Sequence, residues 1–461
     1  MNPLPVAEAP NAGAAPPMDA SPNVPIAVQL GRFVADVRAD RLPARVVDHA
    51  KSRLLDCLAT AISSRTLPVP AVAGAFVADS RGGASIVGRR ERAAAVDASF
   101  VNATLVNGST HDDFLAKSHA GAVVVPAALA LAEEHGGSGA DLLAAIVAGY
   151  EVTARAYLGG PGMLPRFRAT GVPGAVGAAA AAARALRLDA ARTANAIGLG
   201  AMFASGFGEG FHSGTMDVKL NVGWASRSGA SAALLARAGA TASPTVFEGT
   251  SGFFHAFSNG AGSAARTAQG LGEHFLIEET LYKERPVCIF VQTPVELAHR
   301  LAREHGFDPA RIEHVRITAP IETYTNPGYL NAAPFATALK ARISARFTVA
   351  AALLDRPIDT YAYYDRTDDA DVLALAERIE LVEPSSEVHD VHVEVTVAGR
   401  CFAMRGIEME YQRPSHDKVV GKYRRLTADL APALAEDILA AVLAMDRASD
   451  VVALTHLLRL V

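Results

Sequence analysis

Small side chains at helical spacing fill most of the first 270 residues of this chain. The densest run is TGVPGAVGAAAAAARALRLD, and windows such as RVVDHAKSRLLDCLATAISS and ADLLAAIVAGYEVTARAY repeat apolar residues with the same period. Alanine and glycine on the inner faces let helix axes approach closely. The pattern therefore predicts a tightly packed helical domain whose helices are largely buried.

The sequence changes character after about residue 271. The segments RIEHVRITAP and VHDVHVEVTVAGRCFAMRG alternate apolar and polar residues and are typical of strands, whereas ARFTVAAALLD and DVLALAERIE between them predict helices. Helical periodicity returns from about residue 412 to the end. A chain of 461 residues also favours two domains. We therefore predict a mainly α fold, in which a large helical domain of residues 26–270 and 412–461 carries an inserted, smaller α+β domain of residues 271–411.

Composition and charge exclude several classes of protein. The net charge of −5 gives no reason to expect nucleic-acid binding. The three cysteines lie far apart, which argues against a zinc site, an iron–sulfur cluster or a disulfide framework and favours a reducing cytoplasm. Charged residues interrupt the most alanine-rich stretch, so no membrane span is expected there. Residues 1–25 are rich in proline and alanine without a basic segment before an apolar one, which predicts a disordered leader and no signal peptide.

The segment STHDDFLAKSHAG is the first candidate for chemistry. It places His111, Asp112, Asp113 and His119 close together ahead of an apolar helical run. A histidine beside carboxylates can act as a general acid or base near neutral pH. Alternatively, the two acids cap a helix and His119 is a solvated loop residue; spacing alone favours this second interpretation.

Two further segments carry basic residues beside glycine-rich turns. In GFHSGTMDVKLNVGWASRSG, Lys219 follows His212 and precedes a helix predicted to begin near Gly223, where an anionic substrate could bind. In RFRATGVPG, Arg168 could clamp a carboxylate or a phosphate. An exposed surface lysine is the ordinary alternative for Lys219. Neither GxGxxG after a strand nor GxxxxGK[ST] occurs, so neither nucleotide-binding loop is supported.

Several segments, taken in order, resemble the MmgE/PrpD family, which includes 2-methylcitrate dehydratase, cis-aconitate decarboxylase and iminodisuccinate epimerase. The resemblance covers nearly the whole chain after the leader. The segments that carry it are AKSRLLDCLATAISS, HDDFLAKSHAGAVVVPAALALAEE, AGYEVTAR, TGVPGAVGAAAAAARALRLD, KLNVGWASRSGASAALLARAGATASPTVFEGTSGF, KERPVC and ARISARFTVAAALL.

The resemblance implies an α+β lid on the helical domain, a cleft between the two, a homodimer, and neither a metal nor an organic cofactor. It matches His119 to the catalytic histidine of the family and Lys219 to its active-site lysine. Asp112 and Asp113 match the paired acids of the family. Tyr150, in the GYE step, is expected to line the cleft.

The chain also departs from the family pattern. Many members read Asp-Phe-Asp-Asp-Thr where this chain reads Thr110-His111-Asp112-Asp113-Phe114. Other members have a histidine, a tyrosine and a histidine at the positions that are Arg168, Arg285 and Gln292 here. The extra arginines and the extra histidine favour a substrate at least as anionic as a tricarboxylate. The expected substrate-binding residues are His111, Tyr150, Arg168, His212, Arg285 and Gln292.

The reaction expected from the resemblance is cleavage or inversion next to a carboxylate. A dehydratase acting on a small hydroxy-polycarboxylate such as 2-methylcitrate is our main hypothesis. An epimerase of the iminodisuccinate type would use the same proton removal. A cis-aconitate type decarboxylase ranks third because the threonine and histidine positions of the decarboxylases are altered here. A degenerate member that only binds a partner is the non-enzymatic alternative.

Overall fold

The computed structural model describes residues 24–461. The predicted leader, apart from its last two residues, lies outside the described residues. The helices of the N-terminal part are α1 (Ile26–Asp36), α2 (Ala44–Ser63), α3 (Pro68–Phe76), α4 (Ala95–Gly108), α5 (Ala120–Glu134), α6 (Gly139–Gly159), α7 (Val172–Ala185), α8 (Ala190–Met202), α9 (Glu209–Ser213), α10 (Asp217–Arg237), α11 (Phe253–Ser258) and α12 (Ala264–Ala268), with a two-stranded ribbon of β1 (Ala84–Ser85) and β2 (Arg92–Ala93).

The second part combines helices with one four-stranded sheet. Its elements are α13 (Ile289–His305), β3 (Ile312–Thr318), α14 (Ile321–Tyr324), α15 (Ala338–Arg342), α16 (Ala345–Leu353), α17 (Ala370–Ala376), β4 (Ile379–Val382), β5 (Asp390–Val397) and β6 (Arg400–Ile407). The chain ends in α18 (His416–Leu426), α19 (Pro432–Leu443) and α20 (Val452–Leu458). The predicted fold class, mainly α with a small α+β part, is confirmed.

Glycines make the closest helix crossings possible. A Cβ atom on Gly149 of α6 would lie 2.6 Å from a methyl carbon of Val124 in α5, and one on Gly177 of α7 would overlap the hydroxyl of Thr153 in α6. A Cβ atom on Gly229 of α10 would lie 2.5 Å from Ala178. These separations leave no room for a side chain, as expected for helices packed through small residues.

The C-terminal helices return to the helical part. Val419 and Tyr423 of α18 and Ile438 of α19 join the same buried cluster as Leu54 of α2. A separate cluster collects apolar residues between 287 and 397, together with Phe114. We refer below to these two regions as the helical part and the α+β part; the domain bounds predicted from the sequence stay a prediction.

The sheet has the order β4-β3-β5-β6. Strand β3 pairs parallel with β4 and antiparallel with β5, and β5 forms a hairpin with β6. Alternate residues of β5 are buried, which is the period of two that VHDVHVEVTV predicts. Helices α13 and α16 lie against each other, and α13 also contacts β5 and β6.

Two predicted boundaries were wrong. Helix α10 begins at Asp217 and not near Gly223, so Lys219 lies in its first turn. The end of DVLALAERIE belongs to β4, because α17 stops at Ala376. In the first case MDVKLN has little apolar periodicity, and in the second apolar residues continue from α17 into β4, so neither pattern marks the boundary. Among residues 24–461, no helix is long and apolar enough to cross a membrane.

Candidate active site

The loop of residues 109–119 lies between the helical and the α+β parts. Phe114 and Leu281 exchange two main-chain hydrogen bonds, each of 2.9 Å. Arg342, at the end of α15, donates to the carbonyl of Ser109 at 2.8 Å, and Lys283 donates to that of Thr110 at 3.0 Å. The loop is thus bonded to residues far away in the sequence, which places its acids in the interior.

Asp112 is fully buried among donors and cations. Asn107 donates to its Oδ2 at 2.6 Å, Nδ1 of His119 lies 3.4 Å from the same oxygen, and Nζ of Lys283 lies 3.6 Å from Oδ1. Burial alone would raise the pKa of Asp112, but His119, Lys283 and Lys219 outweigh it and hold that pKa well below its usual range. Asp112 is therefore the permanent negative charge of this site.

His119 stands immediately before α5, with its side chain 18% exposed. Its Nδ1 lies 2.7 Å from the main-chain carbonyl of Asp113. Since a carbonyl can only accept, Nδ1 carries the proton and Nε2 carries the lone pair. Burial lowers the pKa of His119 to about 3, against the opposing effect of Asp112. A neutral imidazole whose Nε2 is not bonded to any described residue can accept a proton from a substrate.

Asp113 faces a different direction from Asp112. The hydroxyl of Tyr150 donates to its Oδ2, and the main-chain amide of Gly121 in the first turn of α5 donates to Oδ1 at 3.1 Å. Burial raises the pKa of Asp113 to about 6. The two acids therefore differ in their surroundings: Asp113 accepts from an amide in the first turn of α5, whereas Asp112 belongs to a charged cluster.

Three basic side chains converge on Asn107 and Thr110 in this site. Lys219 donates from Nζ to the carbonyl of Asn107 at 2.6 Å and to the hydroxyl of Thr110 at 2.8 Å. Arg168 donates from Nη2 to the side chain of Asn107 at 3.3 Å, and its buried Nη1 has no partner among the described residues. Lys283 bonds to Thr110 as given above. Burial, with Arg342 next in effect, lowers the pKa of Lys219 well below its usual range, and burial lowers that of Arg168 to about 10.

The balance of charge in the site is positive. Three buried basic side chains, those of Arg168, Lys219 and Lys283, act on the buried carboxylate of Asp112, and Arg342 is buried close enough to Lys219 to lower its pKa. Burying unpaired cations is unfavourable without compensating negative charge. An anionic ligand would supply that charge, so the site is suited to a molecule with more than one carboxylate.

Four of the expected substrate-binding residues are engaged elsewhere or lie apart. His111 is buried with Nε2 at 2.8 Å from the carbonyl of Glu284. Arg285 pairs with Glu296 at 3.0 Å and Asp359 at 3.1 Å. Gln292 donates to the carbonyls of Arg285 at 2.8 Å and Val287 at 3.3 Å, and His212 is exposed on the short helix α9. The structure does not bring these four residues together with His119.

Sequence reasoning missed Lys283, Arg342 and Asn107. Lys283 stands in KERPVC, a segment already matched to the family, and that match was an available signal. Arg342 stands in ARISARFTVAAALL, another matched segment, but its contact with Ser109 spans 233 positions and has no local signal. Asn107 lies within α4 and has no local signal either. No group of three metal-ligating side chains occurs within residues 24–461.

Two models of known protein families match the chain. The model of the MmgE/PrpD N-terminal domain matches residues 28–265, and that of the MmgE/PrpD C-terminal domain matches residues 286–446. Together the two matches cover more than half of the chain. The chain belongs to the MmgE/PrpD family, as its sequence segments predicted.

Curated relatives of the chain are cis-aconitate decarboxylases. The enzyme of Aspergillus terreus (strain NIH 2624 / FGSC A1156) is 23% identical over 94% of this chain and 96% of its own length. The human enzyme is 23% identical over 77% of this chain and 76% of its own length. A cis-aconitate decarboxylase-like protein of Aspergillus oryzae is 29% identical over 53% of this chain and 54% of its own length.

Proposed function

We propose that this protein is a cofactor-independent lyase that eliminates water from a small hydroxy-polycarboxylate such as 2-methylcitrate. The observation that supports it most is the free Nε2 of His119, fixed beside buried basic side chains and one carboxylate. The substrate is a small anionic carboxylate. From the family resemblance we also propose a homodimer, which sedimentation equilibrium tests.

The reaction begins with removal of a proton next to a carboxylate. Nε2 of His119 takes this proton, and Arg168 and Lys283 hold the carboxylate on which negative charge develops. The unpaired Nη1 of Arg168 provides a donor for that carboxylate. Because these donors are already in place and shielded from water, little reorganisation is needed as the charge forms.

Elimination then requires a proton for the leaving hydroxyl. The carbon–oxygen bond breaks, its electron pair leaves with oxygen, and Lys219 protonates the departing hydroxide to give water. A lysine with a lowered pKa gives up a proton readily. The proton on His119 returns to Lys219 through solvent, which restores the site and leaves an alkene as product.

Decarboxylation is the second candidate, because the curated relatives above bear that name. The same cations would hold the charge left behind as carbon dioxide departs. Thr110 and Phe114 stand where the family pattern has an acid and a threonine, and Gln292 stands where decarboxylases have a histidine, which ranks decarboxylation below dehydration. An epimerase of the aminodicarboxylate type would share only the first step.

Proton NMR in D₂O with a panel of citrate-, aconitate-, tartrate- and aminodicarboxylate-like acids tests the proposal. We expect an alkene product from a hydroxy acid, formed far more slowly by His119→Gln. Release of carbon dioxide would instead establish the decarboxylase, and deuterium exchange without net loss would establish the epimerase. No reaction across the panel would contradict an enzymatic role and favour a binding protein.

A further inference from the structure

The carboxylate of Asp113 is enclosed behind the first turn of α5. It accepts from the hydroxyl of Tyr150 and the amide of Gly121. A Cβ atom on Gly121 would lie 2.5 Å from the Tyr150 hydroxyl, 2.6 Å from Sγ of Cys57 and 2.9 Å from Oδ2 of Asp113. The carboxylate is therefore closely packed on this side, and two hydrogen-bond donors hold it in place.

The main-chain carbonyl of Asp113 accepts the proton of His119 Nδ1. This carbonyl is 2.7 Å from Nδ1, whereas Oδ2 of Asp112 is 3.4 Å from the same nitrogen. Two acceptors thus compete for one imidazole proton. The neutral carbonyl is the nearer, and the negatively charged carboxylate is the stronger acceptor.

We propose that Tyr150 and the carboxylate of Asp113 are positioning residues that keep the Asp113 carbonyl on Nδ1 of His119, and so keep Nε2 unprotonated and aimed at the substrate. This role rests on the proposed function in that it takes His119 as the base. It assigns Tyr150 to holding Asp113 and not to the substrate, since the Tyr150 hydroxyl is fully buried and already donates to that acid.

If the hydrogen bond between Tyr150 and Asp113 is lost, the charges around His119 determine the result. Asp112 stabilises the imidazolium form, whereas Lys283 and Arg168 oppose it. A carbonyl that is free to move would let Nδ1 turn towards Asp112. A closer carboxylate raises the pKa of a histidine, so the base would become protonated, and inactive, at a higher pH.

The surroundings of Asp113 support its role as a fixed anchor. Burial and Asp56 raise its pKa, and Arg53 and Tyr150 lower it, so that it is ionised above about pH 6. Burial raises the pKa of the Tyr150 hydroxyl well above its usual value, with Asp113 acting in the same direction. Tyr150 consequently stays protonated and remains a donor throughout the working range.

Tyr150→Phe tests the proposal, because it removes one hydroxyl and retains the ring. We expect kcat to fall roughly 10- to 100-fold with little change in KM, and the acidic limb of the kcat/KM profile to move up by about one pH unit. Tyr423→Phe is the matched control: Tyr423 is also buried in the helical part, but its hydroxyl donates to the carbonyl of Ala435 at 2.6 Å. It should leave the pH profile unchanged.

A second measurement separates this proposal from the proposed reaction. Diethyl pyrocarbonate acylates the unprotonated nitrogen of histidine, so the pH dependence of labelling of the His119 peptide, followed by mass spectrometry, reports its protonation without any substrate. We expect the midpoint for Tyr150→Phe to lie above that of the wild type. If the shift occurs but no acid is turned over, the positioning role stands and the reaction is wrong.

Equal midpoints in both proteins would overturn the positioning role, even with an active enzyme. The same holds if Tyr423→Phe shifts as much as Tyr150→Phe. Thermal unfolding checks that each variant is folded. Should Tyr150→Phe fail to fold, Asp113→Asn gives the same test, because an amide oxygen accepts less strongly than the carboxylate and weakens the same anchor.

Discussion

His119 is the residue on which the proposed chemistry most depends. Glutamine at this position can still donate to the Asp113 carbonyl, but it cannot accept a proton at neutral pH. His119→Gln is expected to lower kcat by roughly 10²- to 10⁴-fold, measured by steady-state turnover of the substrate found by NMR. His389→Gln, on the exposed loop before β5, is the control and should retain full activity. Comparable loss in both variants would contradict the assignment.

Arg168 distinguishes this chain from the family pattern and carries an unpaired buried donor. Arg168→Gln should raise KM for a tricarboxylate roughly 10- to 100-fold, since a hydrogen bond to a charged group contributes about 1.5–3 kcal/mol. A dicarboxylate should be affected less. Arg166→Gln, two residues earlier, is a suitable control because the side chain of Arg166 is exposed and donates to that of Asn259 at 3.2 Å. An equal effect on both acids would show that Arg168 does not choose the substrate.

The crossing of α6 and α7 leaves no room for added volume at Gly177. A methyl group on Gly177 would overlap Thr153 and lie 2.6 Å from the carbonyl of Gly149. Gly177→Ala is therefore expected to destabilise the protein by about 1–3 kcal/mol, measured by urea unfolding.

Gly421→Ala is the control for Gly177→Ala, with an expected change in stability of the opposite sign. Gly421 lies inside α18, where a Cβ atom would meet nothing nearer than a side-chain nitrogen of Arg425 at 3.9 Å. Gly421→Ala should stabilise the protein by roughly 0.5–1 kcal/mol, the usual preference for alanine in a helix. A stabilising Gly177→Ala would mean that the two helices are less closely packed than the structure indicates.

The helices and strands that the sequence predicted are those with a clear apolar period. Alternating valines in β5 and apolar positions in α2 face their cores directly, so local pattern and burial agree. The start of α10 was placed too late because MDVKLN has little apolar periodicity, and its first turn is held by tertiary contacts instead.

At the site, local reasoning identified acids and a histidine but could not assign them separate partners. Asp112 and Asp113 are adjacent in sequence, yet one faces Lys283 and the other faces Tyr150. Tyr150 lies 37 positions from Asp113, and Lys283 lies more than 150 positions from Asp112, so no local pattern predicts these partners. The family resemblance supplied His119 and Lys219 by position, and only the folded chain supplied Arg342.

Because the folded protein buries His111 in its neutral form, its free energy of unfolding depends on pH. Burial, followed by the charge of Lys422, lowers the pKa of His111 well below its usual value, so His111 stays neutral in the folded protein. In the unfolded chain it takes up a proton near its ordinary pKa of about 6.5. Its contribution to stability is therefore fully present above about pH 6.5 and is lost as the pH falls below that value.

Replacement of His111 isolates this contribution from those of other groups. The buried carboxyls of Asp113 and Glu151, whose pKa values burial raises to about 6 and about 7, change stability in the opposite direction, but they are common to both proteins. In His111→Gln the amide can still donate to the carbonyl of Glu284. We expect the stability of the variant relative to the wild type to increase between pH 7.5 and pH 5.5, measured by urea unfolding at both values.

The matched control is His416→Gln, at the exposed first residue of α18. This variant removes a solvent-exposed histidine and should follow the wild type at both pH values. A His111→Gln curve parallel to that of the wild type would mean that His111 becomes protonated within the fold. In that case the positive charge around the 109–119 loop would increase on acidification, and binding of an anionic substrate would strengthen as the pH falls.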